Sequence, residues 1–250
     1  MSAGKRVVVL GATKGMGRSI ARRLVERGDS VALLGRDAED LARSAADLRA
    51  RGAPGVKVVT AVCDLEQPSS FRPALDSSEQ ALEGLDVVVV TAALFGTQEQ
   101  LESDPALAQK VLTVDFANTI VFCEEARKKL LHRGGGTLCV FSSVAGDRAR
   151  KPVVLYGAAK AGLSAYLEGL DLKFRSQGLV TVCVKPGFVK TGMTEGLKAP
   201  PFAGEPDDVA QVVIEGIDRG TRVVYAPPIW RVVMTAVRAL PRFVMRRVGF

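Results

Sequence analysis

Val7-Val8-Val9-Leu10-Gly11-Ala12-Thr13-Lys14-Gly15-Met16-Gly17 decides how this chain folds. Four consecutive apolar residues without alternation suit a strand buried on both faces, as in a parallel sheet. The glycines at 11, 15 and 17 then give the spacing G-x-x-x-G-x-G and lead into a helical stretch over 18–27, with Ile20, Leu24 and Val25 on one side. Gly28 closes that helix. A strand, a glycine turn and a helix N-terminus in this order bring backbone amides close to a pyrophosphate. The glycine spacing alone is weak, and its context supplies the weight.

The same alternation continues to the end of the chain. Strands are expected at 30–35, 56–62, 86–90, 137–141, 180–184 and 223–225. Helices are expected over 37–51, 71–82, 104–131 (in two pieces), 153–176 and 207–219. Such alternation predicts an α/β chain: a single Rossmann-type domain, with a doubly wound parallel sheet flanked by helices on both faces. We see no internal repeat, low-complexity segment or linker. Residues 1–226 are expected to form the catalytic domain and 227–250 a distinct basic, amphipathic tail.

Bulk properties narrow the function. Of 250 residues, 47% are hydrophobic, enough for a substantial core. No run of 18 or more apolar residues occurs, and the N-terminus lacks the apolar region of a signal peptide, so a cytoplasmic location is expected. Cys63, Cys123, Cys139 and Cys183 are scattered singly and read as reduced, buried thiols. The one histidine, His132, reads as a loop residue beside Arg133, so no metal site is expected. The net charge of +7 is concentrated in the tail: residues 221–250 hold six arginines and no acid, which leaves +1 for the first 220 residues.

Tyr156 and Lys160 lie one helical turn apart, with Ser143 thirteen residues upstream. An ammonium beside a phenol favours phenolate, so the Tyr156 pKa is expected to fall from about 10 toward working pH. Ser143 is placed to hold a carbonyl oxygen. Tyr-x-x-x-Lys alone is weak and better fits a solvated lysine beside a half-buried tyrosine, and the rest of the chain reverses the balance. On the nucleotide side, the second strand ends in Gly35-Arg36, where an acid would usually take a ribose 2′-hydroxyl. Arg36 and Lys14 suit a 2′-phosphate instead, which points to NADP(H). Asp64, after the third strand, is placed to accept from an adenine amino group.

These motifs together resemble the short-chain dehydrogenase/reductase family over roughly residues 5–225. The resemblance implies cofactor contacts from Gly11, Thr13, Lys14, Gly15, Met16, Gly17, Arg36, Asp64, Thr91, Ala92 and Lys160. It also implies contacts from Pro186, Gly187, Val189 and Thr191 near the nicotinamide. It makes Tyr156 the general acid in reduction, Lys160 its tuning cation and ribose ligand, and Ser143 the carbonyl clamp. Two departures stand out. Val90-Thr91-Ala92-Ala93 replaces the family's Asn-Asn-Ala-Gly and is expected to position the adenosine half less firmly. Asp115 stands where the family has a catalytic asparagine; it pairs with Lys160, or it merely caps or kinks its helix, with Asn118 the other candidate substitute. From Ser142 onward the chain is also similar to decaprenylphosphoryl-keto-pentose reductases and, more distantly, to 3-ketosphinganine reductases. Both imply a lipid-carried ketone.

The tail mixes Trp230, Val233, Met234, Phe243 and other apolar residues with arginines, and Pro241 divides it. It suits peripheral contact with the inner face of an anionic membrane, or packing on its own core or on a subunit partner. Nucleic acid fits less well, since no reading module is present. Residues 191–205 are expected to form a substrate lid. The functional expectation is an NADPH-dependent carbonyl reductase for a small-molecule, hydrophobic or lipid-linked ketone, working as a homodimer or homotetramer. The alternatives are a non-catalytic NADP(H)-binding sensor or scaffold and, more weakly, an epimerase.

Overall fold

The computed structural model describes residues 4–247. The chain runs β1 (Arg6–Leu10), α1 (Gly15–Arg27), β2 (Ser30–Gly35), α2 (Ala38–Arg51), β3 (Val58–Val62), α3 (Phe71–Leu82) and β4 (Val87–Val90). There follow α4 (Gln98–Ser103), α5 (Pro105–Leu112), a π-helical turn (Thr113–Asn118), α6 (Thr119–His132) and β5 (Gly136–Phe141). The last part is α7 (Val154–Phe174), β6 (Leu179–Pro186), α8 (Pro206–Arg219), β7 (Val223–Ala226), α9 (Ile229–Ala239) and α10 (Arg242–Arg247).

All seven strands pair in parallel in the order β3-β2-β1-β4-β5-β6-β7. The first strand explains why. Val7 and Val9 point to one face and pack with α1, α2 and α8, through residues such as Leu24, Leu41 and Val213. Val8 and Leu10 point to the other and pack with α3, α6 and α7, through Phe71, Phe122 and Leu163. An apolar run without alternation is the pattern a strand needs when both faces are covered. Each fully buried Val, Leu or Phe here contributes about 1.5–3 kcal/mol. Phe71 and Phe122 meet edge to face at 5.6 Å, which joins α3 to α6. The strand order reverses between the neighbours β1 and β4, which opens a crevice beyond their carboxyl ends.

The elements fall where the sequence places them, with local corrections. α1 starts at Gly15 rather than at residue 18, so Gly15 and Gly17 belong to its first turn. The helical region expected over 104–131 is preceded by α4, which Thr97 and Gln100 nucleate through a reciprocal capping box. Asp104 caps α5 by accepting from the Ala106 and Leu107 amides at 3.0 Å. His132 is the last residue of α6 rather than a loop residue. All four cysteines are buried and unpaired, as expected.

Candidate active site

The nucleotide side is assembled around β1 and α1. Gly11 has φ +89°, and a side chain at Gly17 would put its Cβ 2.1 Å from the Gly11 carbonyl oxygen. Only glycine permits that approach. Thr91, where the family has asparagine, contributes here: its hydroxyl lies 3.0 Å from the Leu10 carbonyl and 3.2 Å from that of Gly11, tying the loop to the end of β4. The first turn of α1 has no side-chain cap and no acidic residue, so its amides are left for an anion. Gly11, Thr13, Lys14, Gly15, Met16, Gly17, Arg36, Asp64, Thr91 and Ala92 all line one cavity of about 320 Å³. Lys14 stands 3.1 Å from Asp40, and Arg36 stands 3.8 Å from Glu66; both cations are mostly exposed at the rim. Asp64 accepts the Glu66 amide at 3.0 Å through one carboxylate oxygen. The uncapped amides, the glycine cradle and the rim cations fit a phosphorylated dinucleotide.

The carbonyl side is a second, largely apolar cavity of about 700 Å³ that contains Ser143, Tyr156, Lys160, Pro186, Gly187, Val189 and Thr191. Two glycines bring its chemistry together. A Cβ at Gly146 would meet the Ala161 amide at 2.7 Å, and one at Gly157 would meet the Ala145 carbonyl at 2.9 Å. The turn after Ser143 therefore presses directly on α7. Ser142 reinforces the contact, its hydroxyl 2.8 Å from the Lys160 carbonyl. Gln98 accepts the Val154 amide at 2.8 Å and so fixes the start of α7. Phe95 packs edge to face on Tyr156 at 5.4 Å.

Lys160 is 2% exposed and Asp115 is not exposed at all, with 3.4 Å between ammonium and carboxylate. The ammonium also lies 3.3 Å from the Phe141 carbonyl. The other oxygen of Asp115 accepts the Leu94 amide at 2.7 Å. Asn118 instead donates to the Leu65 carbonyl at 2.6 Å. Of the two candidates it is therefore Asp115 that faces the lysine. It sits within the π-helical turn, a distortion common at functional sites.

The electrostatics correct one expectation. Lys160 stands 5.5 Å from the centre of the Tyr156 ring, yet the phenol pKa is raised, not lowered. Burial in the apolar cavity raises it most; Lys160 pulls it down, and Asp115 pushes it up again. Burial likewise works against the Lys160 ammonium, but Asp115 and Tyr156 outweigh it and raise the lysine's pKa. Burial raises the Asp115 carboxyl, with Lys160 opposing. The expected lowering neglected burial first and the Asp115 carboxylate second, which together outweigh the lysine's field at the phenol.

Two further segments shape the apolar cavity. The segment after β6 is anchored where Val189 bridges to Gly204, and its Leu197, Pro200 and Phe202 reach the cavity wall. The inner face of α9 supplies Trp230, Val233, Met234 and Val237. Gly187 lets the indole of Trp230 lie against the backbone, since a Cβ there would come within 2.0 Å of its ring nitrogen. That N–H is buried with no hydrogen-bond partner among the described residues. Gln98, Phe95 and Arg150 contribute to the site and were not singled out from the sequence, and Trp230 was read as part of the tail rather than of the site. For Trp230 the signal was present: residues 230, 233, 234 and 237 have the spacing of one helical face.

The family model for "short chain dehydrogenase" matches residues 5–201. The chain is 34% identical, over 96% of its own length and 96% of the relative's, to an "Uncharacterized oxidoreductase" of Mycobacterium tuberculosis. It is 26% identical, over 84% of its length and 89% of the relative's, to "Carbonyl reductase family member 4" of Xenopus tropicalis. A solved short-chain type dehydrogenase/reductase from Mycobacterium ulcerans superposes with a TM-score of 0.81 at 21% identity, covering 88% of this chain and 87% of that one. With a glycine cradle at the strand-order reversal and a model that spans most of its length, the chain belongs to the short chain dehydrogenase family, whose oxidoreductases use a nicotinamide cofactor.

Proposed function

We propose that the protein is an NADPH-dependent carbonyl reductase for a hydrophobic or lipid-linked ketone, with Tyr156 as proton donor. One observation carries this reading: the glycine-loop cavity and the apolar cavity adjoin, sharing Met16, Thr91, Ala93, Thr191 and Met193 in their walls, and Tyr156 and Ser143 line the apolar one. Bound NADPH supplies hydride. The chain supplies the rest. Ser143 holds the carbonyl oxygen by its hydroxyl, and Tyr156 gives that oxygen its phenolic proton. Burial keeps the phenol protonated, the state a donor needs, and Asp115 keeps Lys160 charged beside it. Gly35 leaves no carboxylate at the end of β2, and Arg36 and Lys14 flank the same cavity, which supports a 2′-phosphate rather than a free ribose hydroxyl. Leu197, Phe202, Trp230 and Val237 line the far wall, which supports an apolar substrate body.

The test is nicotinamide absorbance with a panel of long-chain ketones, for the wild type and Tyr156→Phe. Turnover should fall by about 10²–10⁴-fold while NADPH still binds. Activity that survives the substitution rules out Tyr156 as the acid. NADPH binding without turnover of any ketone favours the non-catalytic sensor.

A further inference from the structure

A third cavity, of about 590 Å³, adjoins the site and is lined by Arg148, Arg150, Lys151, Arg242 and Arg246, with no carboxylate on its wall among the described residues. The turn between β5 and α7 supplies three of these cations and α10 supplies two, so the tail closes a ring of positive charge. None of the five pairs with an acid among the described residues. Arg148 donates to the Leu240 carbonyl at 3.0 Å, and Lys151 donates to the Arg246 carbonyl at 2.6 Å. Other arginines of this chain behave differently: Arg23 and Arg27 both lie within 2.6 Å of carboxylates.

Arg150 is the informative member. Its Nε is buried with no acceptor among the described residues. Asp147, the acid whose field reaches it, is already engaged by Lys185 at 2.5 Å and by the Tyr225 hydroxyl at 2.7 Å. A buried guanidinium donor without an acceptor is costly and marks a place where an acceptor arrives with a ligand. Among the described residues, Arg150 alone lines both this cavity and the apolar cavity holding Tyr156. A guanidinium presents its donors as a planar fork matched to phosphate or carboxylate oxygens.

We infer that Arg150 anchors an oxyanion subsite and that the substrate is a ketone carrying a phosphate or carboxylate next to its apolar body. This rests on the reductase reading for the word ketone, while the subsite itself is testable without turnover. Trp230 is the chain's single tryptophan and lines the apolar cavity, so its fluorescence reports occupancy. Decyl phosphate, decanoate, decanol and inorganic phosphate are titrated below micelle formation against the wild type, Arg150→Gln and Arg150→Lys. Decyl phosphate or decanoate should bind about tenfold or more tighter than decanol, and whichever leads identifies the oxyanion. Inorganic phosphate alone should bind far more weakly than decyl phosphate, because it lacks the apolar body. Arg150→Gln should bring the anion-to-alcohol ratio close to one, and Arg150→Lys should keep part of it. Should Arg150→Gln fail to fold, Arg242→Gln is read by the same ratio, with a smaller fall expected. Equal binding of the charged and neutral chains by the wild type overturns the inference, as does a ratio unchanged in Arg150→Gln. A retained ratio with no ketone turnover would leave the subsite standing and remove the reductase reading alone.

Discussion

The Lys160 ammonium lies 3.4 Å from the Asp115 carboxylate in the interior, and no hydrogen bond from the described residues satisfies the facing oxygen of Asp115. The field of that carboxylate raises the pKa of both Lys160 and Tyr156. Asp115→Asn removes the charge with little change in shape. Both pKa values should then fall, and the phenol should lose its proton at lower pH. For NADPH-driven reduction, the alkaline limb of the pH–rate profile should shift toward lower pH. Superimposable limbs would show that Asp115 is structural only. Asp115→Leu is a harsher probe. It leaves the buried ammonium with only the Phe141 carbonyl and should cost about 3–5 kcal/mol of stability.

Arg36 and Lys14 are themselves 65% and 81% exposed, with Arg36 3.8 Å from Glu66 and Lys14 3.1 Å from Asp40. Such a pair in open solvent contributes little to stability. Arg36→Ala should therefore leave the unfolding midpoint nearly unchanged. It should weaken NADPH by about 1.5–3 kcal/mol through loss of a charged hydrogen bond, while NADH is barely affected. Isothermal titration of both cofactors decides. Equal losses would remove Arg36 from the 2′-phosphate role.

The fold was legible because the physics that builds it is local in sequence. Val7 to Leu10 has no polar face, and the glycines at 11, 15 and 17 admit one kind of turn. Ser143, Tyr156 and Lys160 were readable for the same reason, since helical spacing sets two of them on one face. Other features depend on three-dimensional sums. The direction of the Tyr156 shift is set by burial against two opposing charges, one of them forty-one residues away in sequence. Gln98 reaches the Val154 amide across fifty-six residues, with no pattern to announce it. The choice between Asp115 and Asn118 turned on where the Leu65 carbonyl sits.

Asp86 ties together the amino ends of two interior strands, β1 and β4. Its carboxylate accepts from the Arg6 guanidinium at 2.5 and 2.8 Å and from the Arg6 amide at 2.8 Å, which locks the start of β1 to that of β4. The hydrogen bond to Arg6 holds the Asp86 carboxyl below its ordinary value, partly against burial. A depressed folded pKa means that the stabilisation is complete above the unfolded value, about 3.9, and is lost as pH falls through the folded value. The pair is one third exposed on each side, so screening limits its worth to about 1 kcal/mol. The urea midpoint of Asp86→Asn should fall below that of the wild type at pH 7, and the gap should narrow as the pH is lowered below 4. A gap that persists in acid would assign the loss to packing rather than to charge.

The two faces of the tail can be tested separately. Trp230, Met234 and Val237 face the cavity, whereas Ile229, Val232 and Phe243 are 40%, 68% and 62% exposed. Arg231 and Arg247, both exposed, accompany that outer surface, and residues 221–250 hold no acid. Apolar side chains among arginines suit an anionic lipid interface, where burial and charge both favour binding. In Val232→Glu with Phe243→Glu, co-sedimentation with phosphatidylserine vesicles should be lost, because each change removes buried apolar area and adds repulsion. Reduction of a short, water-soluble ketone should persist, because neither residue lines the cavity. Unchanged co-sedimentation would exclude this surface as the membrane contact. A truncation after Pro228 should abolish both properties, because it removes the outer face and the cavity wall together.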